Sequence, residues 1–128
     1  MGPKVPDIAT FVQPTRLLDV TPDNPVFHEE IFGPVPMIFR VADEEEAIAL
    51  ANDSQYGLGG SVFSTDIERA QRVARRLDTG MVAINQSINN QSGVLFGGTK
   101  RSGLGKEMGP HGIREFVNST FIQVPATV

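Results

Sequence analysis

The alternation of short apolar stretches with amphipathic segments between residues 34 and 85 is the feature that most constrains the fold. The stretches VPMIFRV (35–41), GGSVFS (59–64) and MVAIN (81–85) are typical of buried strands, and helical segments separate them. Apolar strands that alternate with helices predict a parallel sheet covered on both faces. We therefore predict an α/β fold with a βαβαβ parallel sheet at its centre.

Capping patterns indicate where the two helices begin. Asp43, with Glu46 three residues later, predicts a helix over about 44–52. Thr65 and Glu68 repeat the pattern, and the apolar residues that follow them recur at helical spacing. Most of the arginines of this second segment fall on the opposite face, as expected for a helix that covers a sheet.

The two ends of the chain differ from its centre. Residues 1–25 hold five of the nine prolines, which predicts an irregular lead-in with edge strands at most. Residues 26–117 are expected to form the α/β domain, and residues 118–128 an arm that contains a strand over 120–124. Because this strand has no obvious partner in the βαβαβ unit, we expect it to pair outside the unit and to join subunits in a homo-oligomer.

The composition excludes several classes of chemistry for the chain by itself. It contains no cysteine, which removes disulfides, thiolate metal sites and cysteine nucleophiles. His28 and His111 have no partner at metal-ligand spacing, and no serine lies in a G-x-S-x-G motif. We therefore predict no metal site and no catalytic residue within this chain.

Charge and hydropathy bear on the partners of the chain. The net charge of −4 disfavours nucleic-acid binding. No apolar run approaches the ~20 residues that a membrane span needs, and the first residues lack the pattern of a signal peptide. We expect a cytoplasmic protein that binds neither nucleic acid nor a membrane. The segment 86–109 is rich in Gly, Ser and Asn, and a loop of this length is often functional.

Five segments together resemble one known family. They are FVQPT (11–15), HEEIFGPV (28–35), ANDSQYGL (51–58), DTGMVAIN (78–85) and FGGTKRSGLGKEMG (96–109). In this order and spacing they resemble the C-terminal part of the NAD(P)-dependent aldehyde dehydrogenases. The segments LGGSVFSTD and GIREFVN are most similar to the succinate-semialdehyde dehydrogenase branch.

The resemblance implies roles for individual residues. At the family position of Glu30, a carboxylate accepts hydrogen bonds from the hydroxyls of the nicotinamide ribose of NAD or NADP. At the position of Phe32, an aromatic ring packs against the nicotinamide. Phe96 corresponds to a residue that lines the aldehyde tunnel, and the loop 86–95, with Asn90, shapes the choice of substrate. These roles suit the chemistry, because a carboxylate has two acceptor oxygens and an apolar ring restricts the mobile headgroup.

The loop departs from the family pattern at two points. Leu95 stands where the family usually has a proline before the phenylalanine. The loop is also rich in amides, namely Gln86, Asn89, Asn90 and Gln91. A polar lining suits a polar or carboxylate-bearing aldehyde better than an aliphatic one.

The family's chemistry requires a cysteine thiolate, a glutamate base and a dinucleotide-binding domain, which the resemblance places outside this chain. The first hypothesis is therefore a C-terminal fragment of an aldehyde dehydrogenase that oxidises an aldehyde, with succinate semialdehyde as a candidate, and that is inactive alone. An alternative is a stand-alone, non-catalytic interaction module of the same fold. A third interpretation is a small flavodoxin-like domain, in which Glu30 would have no role.

Overall fold

A computed structural model describes residues 10–89 and 93–126 of the chain. The predicted substrate residue Asn90 lies outside these described residues. The described residues divide into two compact units, one that ends at Leu50 and one that begins at Ala51.

A short parallel pair of strands organises the first unit. Strand β1 (Leu17–Leu18) pairs in parallel with strand β2 (Met37–Ile38). The predicted strand over 35–41 is thus confirmed only at its centre, and its partner comes from the proline-rich lead-in. Pro36 has no N–H group to donate, so it cannot extend the ladder as a regular strand residue would.

Helix α1 spans Glu44–Asn52, which confirms the bounds that the capping pattern predicts. The Asp43 carboxylate accepts a hydrogen bond of 2.9 Å from the Glu46 N–H. In return, the Glu46 carboxylate accepts one of 2.6 Å from the Ala42 N–H. These contacts satisfy donors at the start of the helix, and Ile48 provides its buried face.

The second unit contains a strand–helix–strand element. Strands β4 (Gly59–Val62) and β5 (Met81–Ile84) pair in parallel, and helix α2 (Ile67–Ala74) lies between them in sequence and contacts both. Ala70 of this helix has no exposed surface. The order and parallel pairing predicted for residues 59–85 are therefore confirmed.

The start of helix α2 differs from the prediction by one residue. Asp66, and not Thr65, is the N-cap, because its carboxylate accepts a hydrogen bond of 2.9 Å from the Arg69 N–H. Thr65 with Glu68 matches the capping box in sequence, but a carboxylate one position later makes the equivalent bond one residue further along.

A single βαβαβ sheet is not confirmed. The described residues form three separate two-stranded sheets. Strand β2 pairs with β1, β4 pairs with β5, and β3 (Tyr56–Gly57) pairs in antiparallel fashion with β6 (Thr99–Lys100). The β3–β6 pair was not predicted, because strands of two residues are too short to carry an alternating hydrophobic pattern.

The C-terminal part of the chain begins with two short helical turns. Helix α3 covers Gly109–Gly112, and a 3-10 turn covers Ile113–Phe116. From there to Ala126, the described residues are exposed and form no ladder with the rest of the described chain. The strand predicted over 120–124 therefore stays a prediction. No helix in residues 10–89 and 93–126 is long and apolar enough to cross a membrane.

Candidate functional site

Glu30 and Phe32 lie on an exposed segment of the first unit. A 3-10 turn over Pro25–His28 precedes them, and its N-cap Asn24 accepts a hydrogen bond from the backbone. The side chain of Phe32 is 93% exposed, and Glu30 is exposed as well. Within the described residues, the Glu30 carboxylate forms no hydrogen bond or ion pair. Both side chains are thus available to a ligand.

Backbone hydrogen bonds fix the turn that follows Phe32. The Gly33 N–H donates to the Ile31 carbonyl at 2.9 Å, and the Pro34 carbonyl accepts from the Thr15 N–H at 3.0 Å. The second bond continues the β1–β2 pairing into the turn. The aromatic ring is therefore exposed while the backbone beside it is held, which is an arrangement suited to contact with another molecule.

The residues of this segment fit the part of a dinucleotide that the resemblance assigns to them. A carboxylate is a pure acceptor, so the two oxygens of Glu30 suit two ribose hydroxyls. The exposed ring of Phe32 offers an apolar surface to a planar headgroup. A metal ion has no comparable site, because no group of three or more acidic or histidine side chains is placed to hold one in the part of the chain that the structure describes.

Phe96 lines a cavity of about 240 Å³ in the second unit. Met81 of strand β5 and Ile88 of the loop after it contribute apolar side chains to the wall. Gln86 and Asn89 lie in the same wall and bring amide groups to it. The cavity therefore combines apolar surface with a few polar groups, as small-molecule sites usually do.

The structure brings part of the predicted loop to this cavity. Leu95, at the place of the usual proline, also lines it. Asn90 and Gln91 lie outside the described residues, so their predicted contribution is untested. Met108 lines the cavity too and was not predicted. The available signal was its position inside the glycine-rich segment GLGKEMG, where a backbone with φ of 61° makes it turn back.

Two hydrogen bonds to Glu107 hold the backbone of Phe96. The Phe96 N–H donates to the Glu107 carbonyl at 2.9 Å, and the Phe96 carbonyl accepts from the Glu107 N–H at 2.6 Å. The segment 96–100, called the strap below, then passes directly over Gly80. A Cβ atom on Gly80 would lie 1.8 Å from the Gly97 carbonyl oxygen. Gly80, the glycine of DTG, is therefore needed for the close approach of the two backbones.

The last residue of the strap, Lys100, joins three segments. Its Nζ donates to the carbonyls of Asn52 and Ser54 at 2.8 and 2.9 Å and lies 3.3 Å from the Asp78 carboxylate. The side chain of Asn52 accepts a hydrogen bond of 2.8 Å from the Asp78 N–H. The motifs ANDSQYGL, DTGMVAIN and FGGTK thus meet at one point, called the lysine junction below and formed by Asn52, Ser54, Asp78 and Lys100.

Comparison with known proteins shows that these motifs belong to one protein family. The model of the aldehyde dehydrogenase family matches residues 2–122 of the chain. The chain belongs to the aldehyde dehydrogenase family. The family membership predicted from the five segments is thereby confirmed. The strap and the lysine junction are built from three of those segments.

The relatives of this aldehyde dehydrogenase chain include enzymes of both cofactor types. The succinate-semialdehyde dehydrogenase (NADP+) of Deinococcus radiodurans is 58% identical over 113 residues, which are 88% of this chain and 24% of that protein. The structure of succinic semialdehyde dehydrogenase from Streptococcus pyogenes in complex with NADP+ matches with a TM-score of 0.84 and 47% identity, over 91% of this chain and 26% of that one. The structure of betaine aldehyde dehydrogenase from Staphylococcus aureus in complex with NAD+ matches with a TM-score of 0.79 and 44% identity, over 83% and 21%. The chain spans about a quarter of the length of these relatives.

Proposed function

We propose that this chain is the C-terminal part of a cytoplasmic, NAD(P)-dependent aldehyde dehydrogenase that oxidises succinate semialdehyde, or a similar polar aldehyde, to the carboxylic acid. The observation that carries the proposal is the identity of 58% with the succinate-semialdehyde dehydrogenase of D. radiodurans. Because the chain covers 24% of that relative, the reaction would belong to a longer polypeptide. That polypeptide would supply the cysteine nucleophile, which this chain does not contain.

In the proposed enzyme, this chain contributes residues to the cofactor site and residues to the aldehyde site. NAD(P), when bound, supplies the hydride acceptor. Glu30 accepts hydrogen bonds from the ribose hydroxyls, and Phe32 restricts the movement of the nicotinamide end. Phe96 forms an apolar part of the aldehyde site. Holding reactants in the correct orientation is a large part of enzymatic rate enhancement, so these binding roles bear on rate although no bond is broken on these residues.

The amides beside Phe96 support a polar substrate. Gln86 and Asn89 line the cavity together with apolar residues, and an amide N–H₂ group donates hydrogen bonds to carboxylate oxygens. An aldehyde with a carboxylate at its far end would satisfy these donors, whereas an aliphatic aldehyde would leave them unpaired. Gln86 and Asn89 are exposed in this structure, so a substrate that covers them removes their water. Amides that lose water without gaining a partner are costly, and this difference gives the site its proposed preference.

The proposal also assigns a role to the central domain and to the C-terminal arm. Residues 26–117 belong to the catalytic α/β domain, whose βαβαβ sheet would be completed in the whole enzyme, and residues 118–128 form an arm strand that joins subunits of a homo-oligomer. In support, Phe121, Ile122 and Val124 are 87%, 80% and 78% exposed. Exposed apolar residues in an extended segment are typical of a surface that another chain covers.

The function is tested with the native polypeptide that carries this chain. We expect it to form NADH or NADPH with succinate semialdehyde, and with a higher kcat/KM than with butanal, which has the same number of carbon atoms and no carboxylate. A higher kcat/KM with butanal would contradict the assigned substrate class. The absence of NADH and NADPH with every aldehyde would contradict the proposed reaction.

Replacing the cofactor-binding carboxylate tests the assignment of the exposed segment. In the native polypeptide, Glu30→Gln should slow hydride transfer about 10-fold, because a charge-assisted hydrogen bond to the ribose is replaced by a weaker one. Single-turnover NAD(P)H formation measures this step. Glu29→Gln is the matched control, since Glu29 is the neighbouring exposed carboxylate and is expected to leave the rate unchanged. Equal rates for the Glu30 variant and the wild type would remove Glu30 from the cofactor site.

Replacing a cavity amide tests the substrate preference. Gln86→Leu should lower the ratio of kcat/KM for succinate semialdehyde to kcat/KM for butanal about 10-fold, since the substrate carboxylate loses a donor and the apolar aldehyde gains a matching surface. Gln71→Leu, an exposed amide on helix α2, is the control and should not change the ratio. A ratio that is unaltered by the Gln86 change would mean that the amide does not face the substrate.

A further inference from the structure

We infer that Lys100 is a positioning residue for Phe96 and, through Phe96, for binding of the aldehyde. This inference rests on the proposed function, because it takes the cavity beside Phe96 as the aldehyde site. Lys100 does not line that cavity. It would act from the opposite end of the strap, whose first residue is Phe96 and whose last residue is Lys100.

The ammonium group of Lys100 is saturated with partners. An ammonium has three N–H donors. The carbonyls of Asn52 and Ser54 accept two of them at 2.8 and 2.9 Å, and the Asp78 carboxylate lies 3.3 Å away for the third. The Lys100 side chain is 22% exposed, so these charge-assisted bonds are partly shielded from water. A neutral side chain at this position would leave two carbonyls and one carboxylate without their shared donor.

The backbone of Lys100 adopts a conformation that is unfavourable for a lysine. Its φ is 53°, in the left-handed region that is unfavourable for a residue with a Cβ atom. A glycine would adopt this backbone more easily. Strained positions persist when surrounding contacts determine them, and the three partners of the ammonium are contacts of that kind.

The strap between Lys100 and Phe96 has little freedom to absorb a displacement. The Thr99 hydroxyl donates to the Asp78 carbonyl at 3.0 Å, and the Gly98 carbonyl accepts from Lys106 Nζ at 2.6 Å. The Gly97 backbone lies against Gly80, where not even a methyl group would fit. Because closely packed backbones move together, loss of the lysine junction should shift Phe96.

A double-mutant cycle in the native polypeptide tests this inference by kinetics. Lys100→Met should raise the KM for the aldehyde about 10-fold. It should change kcat and the KM for NAD(P) less than about twofold, because only the aldehyde site loses its correct geometry. In a Phe96→Ala background, Lys100→Met should change the aldehyde KM less than about twofold, because two residues that act through one contact are not additive. Arg101→Met is the control, since it removes the neighbouring exposed cation, and it should leave all three constants unchanged. Additive effects of Lys100→Met and Phe96→Ala on the aldehyde KM would overturn the inference.

A spectroscopic test does not depend on any aldehyde activity. With 4-fluorophenylalanine at position 96 of the native polypeptide, Lys100→Met should move or split the ¹⁹F resonance, and Arg101→Met should not. Asp78→Asn keeps both carbonyl partners of Lys100, so it should fold and move the resonance in the same direction by a smaller amount. An unmoved resonance in every variant that folds would overturn the inference. A moved resonance in a protein that oxidises no aldehyde would support the positioning of Phe96 and contradict only the proposed function.

Discussion

The 128-residue chain, purified by itself, should form no NADH and no NADPH with any aldehyde, succinate semialdehyde included. The family's reaction passes through attack by a cysteine thiolate, and this chain contains no cysteine. Loss of the nucleophile is expected to abolish turnover and not merely to slow it. The measurement is the absorbance of the reduced cofactor over hours at high concentration of the chain.

The native polypeptide, assayed in parallel, is the control for this result. It should show turnover under the same conditions, which would place the missing chemistry in residues outside the chain. Turnover by the isolated chain would contradict the proposal that the catalytic nucleophile lies outside this chain. The intact mass of the native protein from its source cells distinguishes a part of a longer enzyme from a stand-alone module. A mass equal to that of 128 residues would favour the non-catalytic interaction module.

Gly80→Ala should be among the most destabilising single substitutions in the second unit. A Cβ atom at position 80 would lie 1.8 Å from the Gly97 carbonyl oxygen and 2.8 Å from the Gly98 Cα atom. Both are backbone atoms, so no side-chain rotation relieves the clash. We expect a loss of at least about 3 kcal/mol in the free energy of unfolding, at the upper end for overpacked sites. Urea denaturation of the native polypeptide measures it.

Gly105→Ala is the matched control for the substitution at position 80. A Cβ atom on Gly105 would have no neighbour within 4 Å, and its backbone does not lie in the left-handed region. Its expected effect is within about 0.5 kcal/mol, as for ordinary surface substitutions. Equal unfolding midpoints for the two variants would mean that the strap does not press on Gly80.

The sequence was sufficient for features that depend on near neighbours. Helix α1 has the predicted bounds, because Asp43 and Glu46 bond to backbone groups within four residues. The β4–α2–β5 order was likewise predicted from periodicity. The same local argument placed the cap of α2 one residue too early, since Thr65 and Asp66 are both competent caps and only the folded backbone selects between them.

The candidate site was predicted unevenly. The resemblance marked Phe96, and the amide-rich composition of the loop marked Gln86 and Asn89, which line the same cavity. Met108 was missed because it reaches the cavity through a turn with positive φ, and such a turn leaves no hydrophobic period in the sequence. Glu30 and Phe32 were predicted as site residues from the resemblance alone. The structure shows them exposed beside a turn that backbone hydrogen bonds fix.

By itself, the sequence determined the family, the two capped helices and the strand order of residues 59–85. Each of these features depends on residues that are close together in the chain or on motifs of fixed spacing. Only the tertiary structure decided that β2 pairs with β1, that β3 pairs with β6, and that Lys100 binds Asn52, Ser54 and Asp78. The reason is physical. These contacts join residues 20 or more positions apart, and their formation depends on which donors and acceptors the rest of the fold leaves to be satisfied.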